Sequence, residues 1–133
     1  MGEQQTKRGP GRPLSGITKK RIVIRLHEEL RGYLELEAAQ TGSRVGSRLH
    51  HAVQQELLKC RREGDYRLPG YVYSYEMTRS RGRQASKQMT LYITRESESL
   101  LRLLARENGN ERTSVVLAGL VAMYYKEKGW LEI

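Results

Sequence analysis

Two short stretches of this chain alternate apolar and polar residues, and each is followed by two segments with helical spacing. In Lys20-Arg21-Ile22-Val23-Ile24-Arg25-Leu26, the side chains of Ile22, Ile24 and Leu26 fall on one face and those of Arg21, Val23 and Arg25 on the other. That period of two predicts a half-buried strand. A helix is expected from about residue 28 to 40. Leu30, Tyr33, Leu34 and Ala38 supply its apolar stripe, Glu28 and Glu29 suit its positive end, and Gly42 ends it. A second helix, over about residues 45–59, would bury Leu49, Ala52, Val53 and Leu57. Its entry, Ser43-Arg44-Val45-Gly46-Ser47, offers hydroxyls for capping and free backbone N–H groups. Residues 60–86 read as a connector, in which Leu68-Pro69-Gly70 is a turn; Tyr71-Val72-Tyr73-Ser74-Tyr75 has strand character but alternates Tyr with small residues, and the alternative is that its tyrosines cover the edge of the helical core.

The pattern then returns. A constant shift of 67 residues carries Ile22, Ile24 and Leu26 onto Met89, Leu91 and Ile93, and Tyr33, Leu34 and Ala38 onto Leu100, Leu101 and Ala105. Gly42 falls on Gly109, Leu49 on Val116 and Val53 on Leu120, all without a gap. Identity is low, so this is a repeat of pattern. Thr94 is a better N-cap than its counterpart His27. The last helix, over about residues 114–128, carries Val116, Leu117, Leu120, Val121 and Tyr124, with Gly129 closing it. A lone strand leaves its backbone groups unpaired, and two helices cannot enclose a core around it. Two copies solve both problems by pairing their strands into an antiparallel ribbon over four helices.

Composition adds a partner. The 133 residues carry a net charge of +9, enough for one domain and suggestive of an anionic ligand. Residues 1–21 hold six Lys and Arg against Glu3, and residues 59–87 hold eight against three acids. Residues 22–58 (four against five) and 88–133 (six against six) are close to neutral. The excess therefore belongs to a basic arm, residues 1–19, expected to be disordered, and to the connector. Cys60 is alone, so neither a disulfide framework nor a thiolate metal cluster is expected. No apolar leader is visible, and the longest apolar run, residues 115–123, is too short to span a bilayer. A cytoplasmic protein without cofactor or metal is expected.

Strand–helix–helix, twice, resembles the ribbon-helix-helix family, whose members normally form this unit by homodimerisation. The resemblance covers about residues 20–59 and 87–128 and implies a mainly α fold with a two-stranded antiparallel ribbon. Both modules lie on one chain, which would form an intramolecular pseudo-dimer. The family's ribbon reads base edges in the major groove of double-stranded DNA. By position, the reading residues would be Arg21, Val23 and Arg25 with Gln88, Thr90 and Tyr92. Their chemistry suits the task, since Arg forks onto guanine, Gln onto adenine, and Val or the Thr methyl touches thymine's methyl. The two strands differ, so an asymmetric target is expected.

The family also clamps phosphates where its second helix begins. The implied contacts are Ser43, Arg44 and Ser47 in the first module and Asn110, Arg112, Thr113 and Ser114 in the second. Glu111, which corresponds to Arg44, would repel a phosphate and puts the second clamp in doubt. In the arm, Gly11-Arg12-Pro13 resembles the core of an AT-hook, which would bring Lys7, Arg8 and Arg12 to the minor groove or backbone; Pro10 stands where that motif carries its first core arginine.

Tandem single-chain proteins of this length look like the TraY relaxosome accessory proteins of conjugative plasmids. Two modules, a basic arm and the connector Tyr66-Arg67-Leu68-Pro69-Gly70-Tyr71 carry that resemblance. It implies action at an origin of transfer with a relaxase or other relaxosome proteins, control of transfer genes, and cooperative association on DNA. The rival within the class is a transcriptional repressor unrelated to conjugation. Outside it stands an RNA-binding or protein-interaction module, which would stack bases on Tyr71, Tyr73 and Tyr75. Enzyme chemistry is disfavoured: there is one Asp, one Cys and three His, and the adjacent His50 and His51 point about 100° apart on a helix.

Overall fold

The computed structural model describes residues 19–75 and 85–131; the basic arm with Lys7, Arg8 and Arg12, and the connector stretch 76–84, lie outside them. The order is β1 (Lys19–His27), α1 (Glu28–Thr41), α2 (Val45–Glu63), a 3-10 turn η1 (Gly70–Tyr75), β2 (Ala85–Thr94), α3 (Arg95–Glu107) and α4 (Thr113–Glu127). Strand–helix–helix thus occurs twice, in a mostly helical protein with one two-stranded sheet.

The strands pair antiparallel, with Arg21 opposite Tyr92, Val23 opposite Thr90 and Arg25 opposite Gln88. Val23 and Thr90 are also related by the 67-residue shift, so the repeat and the strand register share one centre. Ile24, Leu26, Leu91 and Ile93 are buried beneath the ribbon. Every pair matched by the shift also matches in burial. Leu34 and Leu101, Ala38 and Ala105, Leu49 and Val116, and Val53 and Leu120 are all buried, while Tyr33 and Leu100 are both half-buried. Gly42 and Gly109 both adopt left-handed backbone, φ +67° and +89°, where a side chain would be strained. Behind each, a backbone N–H reaches back to the helix: Ser43 to the Ala38 carbonyl and Glu111 to that of Ala105, both 3.0 Å.

The first helices are capped as their sequences allow. Thr94 Oγ1 accepts from the Ser97 N–H, and His27 Nδ1 accepts from that of Glu29, each at 3.2 Å. Helix α2 continues to Glu63, beyond the expected end near residue 59, because Cys60 is still buried and Gly64 supplies the left-handed stop at φ +68°.

One expectation is corrected. Residues 71–75 are not a strand but the 3-10 turn η1, which buries Val72 and Tyr75 against the helical core. The segment does not join the ribbon; as a compact turn it lies over α4 and buries its apolar side chains there. Asn108 ties the connector down: Leu68 donates to its Oδ1 at 2.8 Å, and its Nδ2 donates to the Tyr66 carbonyl at 2.8 Å. Helix α4 buries more than the residues expected: Val116, Leu117, Leu120 and Val121 are buried and Tyr124 half-buried, and the rest of 115–123 with Tyr125 are buried as well. It packs on α2, η1, α1, α3 and β1, and a helix enclosed this way is apolar all round.

At one crossing the packing depends on a missing side chain. A Cβ on Gly119 would meet the Val72 Cβ at 3.1 Å. Gly119→Val is therefore expected to destabilise the protein by about 1–3 kcal/mol, with partial recovery when Val72 is shortened to Ala. Urea unfolding of the single and double variants measures this.

Two buried carboxylates sit in contrasting settings. Glu37 on α1 accepts from Tyr125 at 2.9 Å and Tyr124 at 3.3 Å, and pairs with Lys128 at 3.1 Å. Burial pushes its carboxyl up, but the bonds from Tyr125 and Lys128 and the charges of Lys128 and Arg48 outweigh that and hold it below its ordinary value. Glu56 on α2 has a buried Oε1 without a hydrogen bond among the described residues; its cation, Lys59, sits 3.4 Å away and also pairs with Glu127. Burial pushes the Glu56 carboxyl up. A raised folded value favours folding only below the unfolded carboxylate range, and the benefit is lost as pH rises through the folded value. Glu56→Gln should thus raise the melting temperature at pH 7, with the gain shrinking toward pH 4; an equal gain at both pH values would contradict it.

Candidate nucleic-acid interface

The alternation that buries one ribbon face leaves the other outward. Arg21, Val23, Arg25, Gln88, Thr90 and Tyr92 are all exposed, and they occupy three consecutive cross-strand rungs. Val23 and Tyr92 are two of the four large apolar side chains exposed among the described residues, the others being Leu36 on α1 and Leu58 on α2. Neither Arg21 nor Arg25 has an ion pair among the described residues, although acids abound on α1 and α3. The sequence-predicted reading residues are therefore together, on one surface.

The rungs differ along the ribbon. One end presents Arg21 beside Tyr92, the centre Val23 beside Thr90, and the other end Arg25 beside Gln88. Each end thus carries one guanidinium, with an aromatic phenol at one and a carboxamide at the other. A guanidinium forks onto guanine O6 and N7, a carboxamide onto adenine N6 and N7, and the central methyl groups match thymine.

The expected phosphate contacts lie at the starts of α2 and α4. Their N-caps are Arg44 and Arg112, and neither helix receives a side-chain cap. The hydroxyl of Ser43 instead shares a 2.6 Å hydrogen bond with Thr41, and Ser47 is exposed in the first turn. The serines expected to cap α2 therefore do not, and its first N–H groups receive no side-chain cap.

On the second side, an open groove of about 590 Å3 runs between β1, α3 and the start of α4. It brings Arg21 and Val23 of the ribbon together with Asn110 and Thr113, so base-reading and phosphate-contacting candidates share one surface. Arg112 and Ser114 are not among its walls, whereas Glu111 is. Asn110 holds a left-handed backbone, φ +61°, which places two successive positive-φ residues in this turn.

Sequence reasoning missed three basic residues of the groove: Lys20, Arg102 and Arg106. Lys20 and Arg102 both pair with Glu98, whose carboxyl is held below its ordinary value first by the hydrogen bond from Lys20 and then by that from Arg102. The spacing of Arg102 and Arg106 on α3 was visible; that α3 turns this face toward the ribbon was not. Elsewhere, Cys60 is buried and its thiol is pushed up by burial and by Glu56. The described residues contain no cluster of three or more His, Cys, Asp or Glu able to hold a metal ion. No helix among them is long and apolar enough to cross a membrane.

No protein-family model matches the chain, and no similar curated protein or solved structure was found.

Proposed function

We propose that this chain is a sequence-specific double-stranded DNA-binding protein of the ribbon-helix-helix type. Its two modules form a pseudo-dimer within one chain, and the ribbon enters the major groove. One observation carries the reading: six residues with base-reading chemistry lie on a single outward ribbon face, with Arg21 and Arg25 unpaired among the described residues. Two apolar side chains and two uncommitted guanidinium groups on one small exposed surface favour a ligand that offers both acceptors and methyl groups, as a major-groove floor does. Backbone contacts at the starts of α2 and α4 hold the register. Unlike ribbon ends select unlike half-sites, so one chain recognises an asymmetric target.

Within that class, the biological role is that of a relaxosome accessory protein acting at the origin of transfer of a conjugative plasmid, with control of transfer genes as a second task. The tandem arrangement, the basic arm and the connector support this over a repressor unrelated to conjugation. Its test is a DNase footprint on an origin of transfer with and without the relaxase: protection there, together with stimulated nicking, is the expected result. Protection confined to a promoter, with nicking unchanged, would assign the repressor role. Base stacking on the connector tyrosines is disfavoured, because Tyr75 is buried and Tyr71 and Tyr73 pack against the core.

A further inference from the structure

We propose that on the Arg21 side of the ribbon a duplex phosphate is held by Arg106, on the last turn of α3, in place of the cation that Arg44 supplies on the other side and that Glu111 replaces here. The inference rests on the DNA-binding reading above and adds a contact that the repeat pattern hides. The two sides differ in where they carry positive charge. The residue two places after the turn glycine is Arg44 in the first module and Glu111 in the second. Three places before that glycine, the first module has Ala39 and the second has Arg106. A cation lost from one position is thus regained at another.

The fold makes the exchange physically sensible. Arg106, Glu111, Asn110 and Thr113 line one open groove with Arg21 and Val23 of the ribbon. Of the four cations in this groove, Lys20 and Arg102 are committed to Glu98. Arg106 is exposed and has no ion pair or side-chain hydrogen bond among the described residues. It is the cation available beside Arg21, with a planar fork suited to a phosphate diester. Glu111 lines the same groove, and with Lys20 and Arg102 committed to Glu98 the positive charge facing a backbone there rests on Arg21 and Arg106.

The test uses the full chain and the duplex that the wild-type protein enriches in a binding-site selection. Each phosphate contact contributes about 0.9 to the slope of log affinity against log salt, or roughly eightfold in affinity at 0.1 M salt. Arg106→Ala should lose about that much in both quantities, keep the same base preferences and melt as the wild type does. Arg106→Lys should recover much of the loss. Arg62→Ala, the same charge change on α2 outside the groove, should show little of it. Replacing single phosphates by methylphosphonates should then weaken the wild type at one position on the Arg21 side where Arg106→Ala is insensitive. An unchanged slope for Arg106→Ala, or a loss equal to that of Arg62→Ala, would overturn the inference while leaving DNA binding intact. A wild-type chain that enriches no duplex would instead sink the DNA-binding reading itself.

Discussion

Arg25→Ala is expected to lower affinity for the selected duplex roughly 5- to 150-fold while leaving binding to random duplex within a few-fold. The range follows from about 1–3 kcal/mol of discrimination for a good bidentate base contact. Arg25 is exposed on the outer ribbon face opposite Gln88, without an ion pair among the described residues. The strand is held by its other face, through Ile24 and Leu26, so the substitution should leave the melting temperature almost unchanged. Titrations on the two duplexes at one salt concentration give the answer. Equal losses on both would mean that the guanidinium serves only as a charge near the backbone.

Glu37→Leu should produce the largest loss of stability among single substitutions of polar residues. Removing one partner of a buried ionic group costs about 3–5 kcal/mol, and the low end applies here because the Lys128 side chain is 36% exposed. The fully buried Tyr125 would lose its acceptor. Adding Tyr125→Phe should recover part of the loss, since two apolar groups in place of a hydrogen-bonded pair leave nothing unsatisfied. The pH dependence has a definite sign. Glu37 is held below its ordinary value, so its contribution is present above the unfolded carboxylate range and lost as pH falls through the folded value. Urea unfolding at pH 7 and pH 4 should therefore show Glu37→Leu approaching the wild type in acid. A constant difference across that window would mean that Glu37 titrates alike in the native and unfolded chains, against the lowered value.

These two substitutions probe different halves of one design. The repeat builds a scaffold in which equivalent positions are equally buried, and departures from it mark where the halves have diverged. Glu37 corresponds to Leu104, Glu56 to Met123, and Arg44 to Glu111. The first ties α1 to α4 through Tyr125; the third reverses the charge carried just after the inter-helix turn. The connector and the tail add to this asymmetry. Turn η1 lies over α4, while Trp130 stacks on Tyr125 with ring centroids 5.3 Å apart.

From the order of residues alone, the strands, the four helices, the antiparallel ribbon and its outward residues were readable. Periods of two and near 3.6 are imposed by local backbone geometry, and burial of one face must follow them. The match of Ile24 with Leu91 and of Gly42 with Gly109 needed no knowledge of distant neighbours. What lay beyond the sequence depends on which surfaces meet. Residues 71–75 alternate like a strand, yet packing over α4 made them a 3-10 turn. The stripe expected on α4 became burial all round because α2, α1, α3 and η1 enclose it. Glu37 and Arg106 looked like ordinary charged residues on helices. Tertiary packing alone brought Tyr125 and Lys128 to the first, and turned the second toward the ribbon beside Arg21. Local periodicity decides which face of an element is buried; only the assembled chain decides what lies opposite each remaining side chain.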